Sequence, residues 1–462
     1  MKNQISTFIY FVGFSCLLLI TGSCKKQDAF LDTKPNQALS VPASLGDLQS
    51  LLYNEGVFNL NDPALGEMST DDYYFTDADW ASLYLTQEKN TYTWDKEFYD
   101  AGSVVLDWNL PYQQVYIANT VLDYLPKISY SASQQTQANQ IRGAALFYRS
   151  IAFYNLVQTF ALPYDVKTAA TDLGIPLRLN SDPNITSIRA TEQQCYDLVI
   201  QDLKISLPLL PVIPVYKTLP SRPAANALLS RVYLAIGDFN NAYKYANDCL
   251  SDYNTLVDYN SLNPGTNSYL SSTFLSEDIF HSVLEAYSND QPNSVSIADT
   301  LLYKSYANND LRKSVFFTPR NGAYYFRGTY DIKGYSFSGI ATDEVYLVRA
   351  ECNARLGNTA DAIKDLNTLL VKRWKSNTFI PYTASSSDDA LKQILLERRK
   401  ELLYRGLRWT DLRRLNKDSR FAITLTRNLN GVVYSLPPND KRYALPIPDN
   451  EIQLSGIAQN VR

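Results

Sequence analysis

The sequence predicts a mainly α protein. It reads as a superhelix of tetratricopeptide-like helix pairs that carries two long irregular insertions and minor β structure. Three observations lead to this class. Leu229–Cys249 (LSRVYLAIGDFNNAYKYANDC) and Arg349–Leu369 (RAECNARLGNTADAIKDLNTL) each read as a helix, a Gly-Asp or Gly-Asn turn and a second helix. In the first, Leu229, Tyr233, Gly237, Phe239 and Ala242 fall at the offsets of a tetratricopeptide repeat, whose period is ~34 residues. Ala138–Phe160 is apolar nearly all round, as a buried central helix must be. Small residues let two helices approach, larger ones fill the seam, and Gly supplies the left-handed turn residue. In the second copy Gly357 and Ala362 match, while Asn353 stands where Tyr233 stood. Neither pair can bury its apolar face alone, so the pairs must stack.

The chain opens on a targeting segment, residues 1–23. Lys2 precedes the apolar run Phe8–Ile20, which is short for a membrane span. Thr21-Gly22-Ser23-Cys24 then reads as a bacterial lipobox, with Thr21 in the place usually held by Leu and Cys24 as the lipidated first residue of the mature chain. Two or more acyl chains anchor stably, at ~0.8 kcal/mol per buried CH₂. Lys25–Ala38 reads as a polar tether, and residues 24–462 as one domain, since no Pro/Ser linker divides them.

Helices are expected over Leu45–Tyr53, Trp108–Leu125 and Ala138–Phe160. Thr191-Glu192-Gln193-Gln194 is a capping box, and it opens a helix with Tyr196, Val199, Ile200, Leu203 and Leu207 at helical spacing. Pro208, Pro211 and Pro214 end that helix. Ser221 caps the first repeat-like pair, and the second spans roughly Asp343–Trp374. A last helix runs through Leu391–Tyr404, where Glu401 and Arg405, four apart, support it by ~0.3 kcal/mol. Between these lie two insertions, about 54–106 and 252–340. Ile279–Val283 and Ala323–Arg327 suggest short strands in the second; Tyr92 and Trp94, alternating with Thr93 and Asp95 in the first, fit a half-buried strand as well as a ligand-facing stretch.

Composition excludes several functions. The 43 Lys+Arg nearly balance the 47 Asp+Glu, which removes an electrostatic case for nucleic acid. Cys195, Cys249 and Cys352 lie far apart in helix-like stretches without CxxC or Cys/His grouping, so they read as buried thiols and not as a zinc site. His281 is the single histidine and reads as a satisfied half-buried residue rather than a catalytic base. No cofactor is expected. Asp71-Asp72 lack EF-hand spacing, and adjacent carboxylates do not by themselves make the pair ~5.5 Å apart that a retaining glycosidase needs.

Several stretches together resemble the SusD/RagB family. Phe30-Leu31-Asp32 with Pro35 and Ser40 is similar to the family's start, and Ala144–Tyr164 (AALFYRSIAFYNLVQTFALPY) to its central helix, with Ala161 in place of a usual Gly. Glu344–Gly357 (EVYLVRAECNARLG) is similar to a repeat helix. The most specific match is Glu397-Arg398-Arg399-Lys400-Glu401-Leu402 followed by Arg408-Trp409-Thr410-Asp411-Leu412-Arg413-Arg414. Pro446-Ile447-Pro448 with Glu451-Ile452 also fits. The resemblance implies a SusD-like fold with four repeat-like helix pairs. It implies an outer-membrane lipoprotein, facing the cell surface, that binds oligosaccharide, or in some members peptide, and is not an enzyme. It also implies a partner, a TonB-dependent transporter of the SusC type over which the protein sits as a lid. The dense charges of Glu397–Arg414 are read as an ion-paired network tying the last helix to the scaffold, and Trp409 as a packing residue.

A sugar offers C–H patches on its ring faces and hydroxyls round its edge, so its recognition needs exposed rings beside short polar side chains. The first insertion has that composition around Asp72, Tyr74, Trp80 and Tyr84, and the second around Tyr287 and Tyr324. These six are the candidate ligand residues, and each competes with simple burial, since most tyrosines in a chain with 34 of them pack in cores. The alternatives are a structural lid or scaffold that holds cargo weakly, and a carboxylate glycosidase.

Overall fold

The computed structural model describes residues 41–264, 274–287 and 295–462. The expected leader, Cys24 and the tether lie outside them. We number the ten scaffold helices α1 Leu45–Leu52, α2 Leu106–Tyr124, α3 Gln135–Phe160, α4 Glu192–Ser206, α5 Arg222–Ile236, α6 Phe239–Asp252, α7 Thr342–Arg355, α8 Thr359–Leu370, α9 Ser387–Glu401 and α10 Arg408–Leu415.

Local chemistry sets the helix ends. Ser44 and Asp47 form a capping box on α1, and Thr191 and Gln194 do the same on α4. The Ser221 hydroxyl accepts from the Ala224 amide at the start of α5. Gly237 ends α5 at φ +80°, where a side chain would be strained, and the Asp238 carboxylate then caps α6. Across this turn the Tyr233 and Tyr245 rings stack 5.6 Å apart and nearly parallel, filling the seam expected of the repeat. Gly357, at φ +88°, makes the same turn between α7 and α8.

The helices stack in sequence. α2 and α4 pack on α3, α5 on α6, α6 on α7, and both α8 and α9 on α7. α3 is buried on nearly every face, as its composition requires. Strands contribute little: the described residues hold five two-stranded sheets. Cys195, Cys249 and Cys352 are buried free thiols.

Buried ion pairs bind the layers. Arg231 of α5 donates to both oxygens of Glu344 of α7, at 2.8 and 2.6 Å. Arg414 of α10 grips both oxygens of Glu351, at 2.6 and 2.8 Å. Burial alone would raise Glu351, but Arg414 and Arg355 outweigh it and hold the carboxyl at about 2. Arg398 donates to Asp411 at 2.8 Å, so much of the Glu397–Arg414 charge is spent internally. Trp409 is buried and stacks on Tyr443 at 4.8 Å.

Four expectations need correction. Glu401 does not pair with Arg405: it accepts from Arg373 at 2.6 Å and Arg312 at 2.9 Å, while Arg405, past the helix end, pairs with Asp343 at 2.6 Å. α9 is not the last helix, because α10 and the hairpin Leu425–Leu429/Val432–Leu436 follow it. Tyr92 and Trp94 are buried at the end of a helix, Thr86–Thr93, and not in a strand. The first insertion also holds the short helices Glu55–Phe58, Leu65–Met68 and Asp77–Ser82, so it is less irregular than its composition suggests.

Candidate ligand-binding site

The two insertions interlock. Tyr73-Tyr74 of the first pairs antiparallel with Ile297-Ala298 of the second. The Asp299 amide donates to the Asp72 carbonyl at 2.8 Å, and the Glu285 amide to the Asp62 carbonyl at 2.8 Å. A second strand pair, Phe317–Arg320 with Ala323–Phe326, lies in the second insertion.

Between them forms an apolar core of its own, largely aromatic. Tyr73, Phe75 and Tyr92 come from the first insertion, and Tyr306, Phe316 and Phe326 from the second. Tyr404 joins the two sides. Its ring stacks on Phe326 at 4.5 Å and lies 5.9 Å from Tyr73. Such offset and edge-on contacts contribute about 0.5–1.5 kcal/mol each beyond area burial. Arg427 of the C-terminal hairpin closes one side, its guanidinium 4.1 Å from the Tyr92 ring and donating to the Tyr73 carbonyl at 3.0 Å.

The rim of this core is where rings reach solvent. Trp80, Tyr303, Tyr324 and Tyr434 are half-buried against it. Tyr303 and Tyr324 stack on each other at 3.5 Å, and the Lys313 ammonium sits 5.1 Å from the Tyr303 ring. Trp80 lies on the short helix Asp77–Ser82, not in an open loop, and its indole donates to the Lys89 carbonyl at 3.3 Å. Tyr74 is 38% exposed and Tyr84 92% exposed.

Two of the six candidates face inward. Asp72 is buried and accepts from Arg399 Nε at 2.8 Å. Burial raises its carboxyl, and Arg399 opposes this. Tyr287 is buried with its hydroxyl donating to Asp107 at 2.7 Å. Burial pushes Asp107 up to about 6, even though that hydroxyl and the Ala64 and Leu65 amides favour its charge. Asp72 therefore lies behind the rim on Arg399, and Tyr287 packs in the main helical core; both are buried. Tyr74, Trp80, Tyr84 and Tyr324 present at least part of a ring.

The neighbouring carboxylate is also committed. Asp71 accepts from both ends of the Arg408 guanidinium, at 2.7 and 2.9 Å. Burial would raise it, but Arg408 and Arg399 hold it well below the usual carboxylate range. His281 sits between Asp278 at 2.9 Å and Asp331 at 3.2 Å, a salt-bridged position in the second insertion. Tyr303 is one of the second-insertion rings the composition offers, while Tyr434 and Arg427 were not singled out by sequence. Asn430-Gly431, the strongest short hairpin signal, points to the strands that carry the last two.

Comparison with known proteins follows the same division of the chain. Residues 29–234 match the family described as starch-binding, associating with outer membrane, and residues 342–461 match the SusD family. A SusD-like protein of Formosa agariphila is 24% identical over 76% of this chain and 79% of its own. A SusD superfamily protein of Bacteroides thetaiotaomicron superposes with TM-score 0.74 at 23% identity, covering 91% of this chain and all of its own. A SusD-like carbohydrate binding protein of Bacteroides vulgatus gives TM-score 0.67 at 20% identity, covering 90% of this chain and 97% of its own. Among the described residues no helix is long and apolar enough to cross a membrane.

Proposed function

Because the chain belongs to the SusD/RagB family, we propose that it is an oligosaccharide-binding lipoprotein of the outer-membrane surface, and not an enzyme. It acts as a single domain from residue 24 onward, anchored through Cys24. It captures glycan and hands it to a SusC-type TonB-dependent transporter. The observation that carries this reading is the ring-bearing rim of the interlocked insertions. There Tyr324, stacked on Tyr303, the partly exposed rings of Trp80 and Tyr74, and the almost fully exposed ring of Tyr84 offer flat faces to sugar C–H patches.

The rim suits binding better than hydrolysis. Its carboxylates, the half-buried Asp71 and the buried Asp72, are held by arginine, so neither is placed to protonate a leaving group. The ring stack is fixed by packing before ligand arrives, which lowers the entropy cost of binding. A glycan and peptide array on residues 25–462 beside the Trp80→Ala variant tests the reading. One class of glycan bound by the parent and weakened in the variant is the expected result. Silence on every glycan from both proteins overturns it.

A further inference from the structure

A groove of about 410 Å³ lies along α2, in a different part of the fold. None of its lining residues belongs to the aromatic core of the insertions or borders it. Asn109, Gln113 and Tyr116 follow one another at helical spacing and share one exposed face of α2. Tyr116 is 54% exposed, while the adjacent Val115 and Asn119 one turn on are buried. The facing wall runs from Pro176 to Ser187, and Glu451 closes the side.

The wall is held rigidly. Tyr112 Oη donates to the Pro176 carbonyl at 2.8 Å. The buried Asn119 carboxamide donates to the Arg178 carbonyl at 2.8 Å and the Asn180 carbonyl at 3.2 Å. Asp123 accepts from both the amide and the hydroxyl of Ser181 at 2.8 Å. Arg178 is spent on the Ile185 carbonyl and the Ser187 hydroxyl, each at 3.0 Å. Among the described residues, the side chains of Asn109, Gln113 and Glu451 have no hydrogen-bond or ion-pair partner.

We propose that this groove is a second oligosaccharide-binding site, with Tyr116 as its stacking platform and Asn109, Gln113 and Glu451 as partners for sugar hydroxyls. Its volume falls in the range of small-ligand pockets. The ring supplies a face for C–H groups, and two carboxamides and a carboxylate supply donors and acceptors round it. Its one cation, Arg178, is already committed, which favours a neutral polyhydroxylated ligand over an anionic one. The inference rests on the reading that this chain takes glycans, and adds a contact away from the insertions. Two separate contacts on one chain hold a long glycan by effective concentration, while a short one occupies either alone.

Titration calorimetry on the full mature chain tests it, with maltoheptaose, xylohexaose and a fructan oligosaccharide as probes and a peptide pool as control. The Tyr116→Ala/Gln113→Ala and Trp80→Ala/Tyr84→Ala variants are titrated alongside, with a thermal melt of each to show that it is folded. The expected result is one glycan class bound at two sites per chain, falling to one site in either double variant. A single site, lost with Trp80→Ala/Tyr84→Ala and untouched by the groove variant, overturns the groove and leaves the insertion site standing. A single site lost only in the groove variant supports the groove and overturns the insertion site. No binding of any probe glycan to the parent, or Tyr116-dependent binding of peptide alone, overturns both.

Discussion

Arg399 Nε donates to Asp72 Oδ1 at 2.8 Å, joining the last turn of α9 to the first insertion across the length of the chain. The same guanidinium donates to the Asp71 carbonyl at 2.7 Å, and the Asp72 carbonyl in turn accepts from Asp299 in the second insertion. One residue pair thus ties scaffold, first insertion and second insertion together. The rings on the rim inherit their positions from this base.

Replacing Arg399 with alanine leaves the buried Asp72 carboxylate with only the more distant Arg408, 3.9 Å away, as a cation. Breaking a buried pair in this way costs about 3–5 kcal/mol, reduced here to about 2–4 because the Arg399 side chain is 22% exposed. Denaturant unfolding of Arg399→Ala beside the parent reads this directly, and an unchanged midpoint shows that the pair holds nothing.

Tyr287→Phe separates support from contact. The change removes the donation to Asp107 and the acceptance from Gln87 at 3.2 Å, and lowers stability by about 1–2 kcal/mol. Because the hydroxyl faces inward, glycan affinity stays at the parent value. A tenfold weaker affinity with unchanged stability reverses the assignment.

His281 gives stability a pH dependence. Burial alone lowers its pKa, but the hydrogen bonds its ring nitrogens donate to the Asp278 and Asp331 carboxylates more than compensate and raise it to about 9, from an ordinary 6.5. Arg405 and Lys217 also act on Asp278, and the Phe274 and Phe337 rings pack on the imidazole. A raised folded value means that the stabilisation is complete below pH 6.5 and lost as pH rises through about 9. The parent should lose about 2–3 kcal/mol more than His281→Gln between pH 6 and pH 9.5. Parallel pH curves for the two proteins contradict the assignment.

Glu192 has the same sign for a different reason. It is fully buried at the first turn of α4, neither oxygen has a hydrogen-bond partner among the described residues, and burial pushes it up to about 8 despite Arg413 and Lys417. Its folded value lies above the ordinary 4.5, so stability falls as pH rises from 4.5 through 8. Glu192→Gln should gain about 1–3 kcal/mol over the parent at pH 8 and little at pH 4. Equal gains at both pH values point to packing and not to ionisation.

The scaffold was legible because helices announce themselves locally. The Thr191 capping box, the Gly237 turn and the all-round apolar α3 each need only neighbours in sequence, and each stands as read. The site was legible only in composition. An Asp beside a Tyr looks the same whether it meets water or an arginine, and the arginine that meets Asp72 is 327 residues away. Tyr84 and Tyr287 likewise differ in nothing local, yet one is 92% exposed and the other 4%. The Asn430-Gly431 hairpin was a missed signal rather than a hidden one, with both residues at positive φ as its turn requires.

The most direct test is the affinity of the glycan identified on the array for the Tyr84→Ala and Tyr324→Ala variants, measured by titration calorimetry. Tyr84 is almost wholly in solvent, so its loss leaves folding untouched and any change belongs to the ligand. A ring face on the insertion rim predicts at least a tenfold weaker affinity in each variant, about 1.4 kcal/mol, with unchanged melting for Tyr84→Ala. Parent affinity in both variants contradicts a glycan site on that rim.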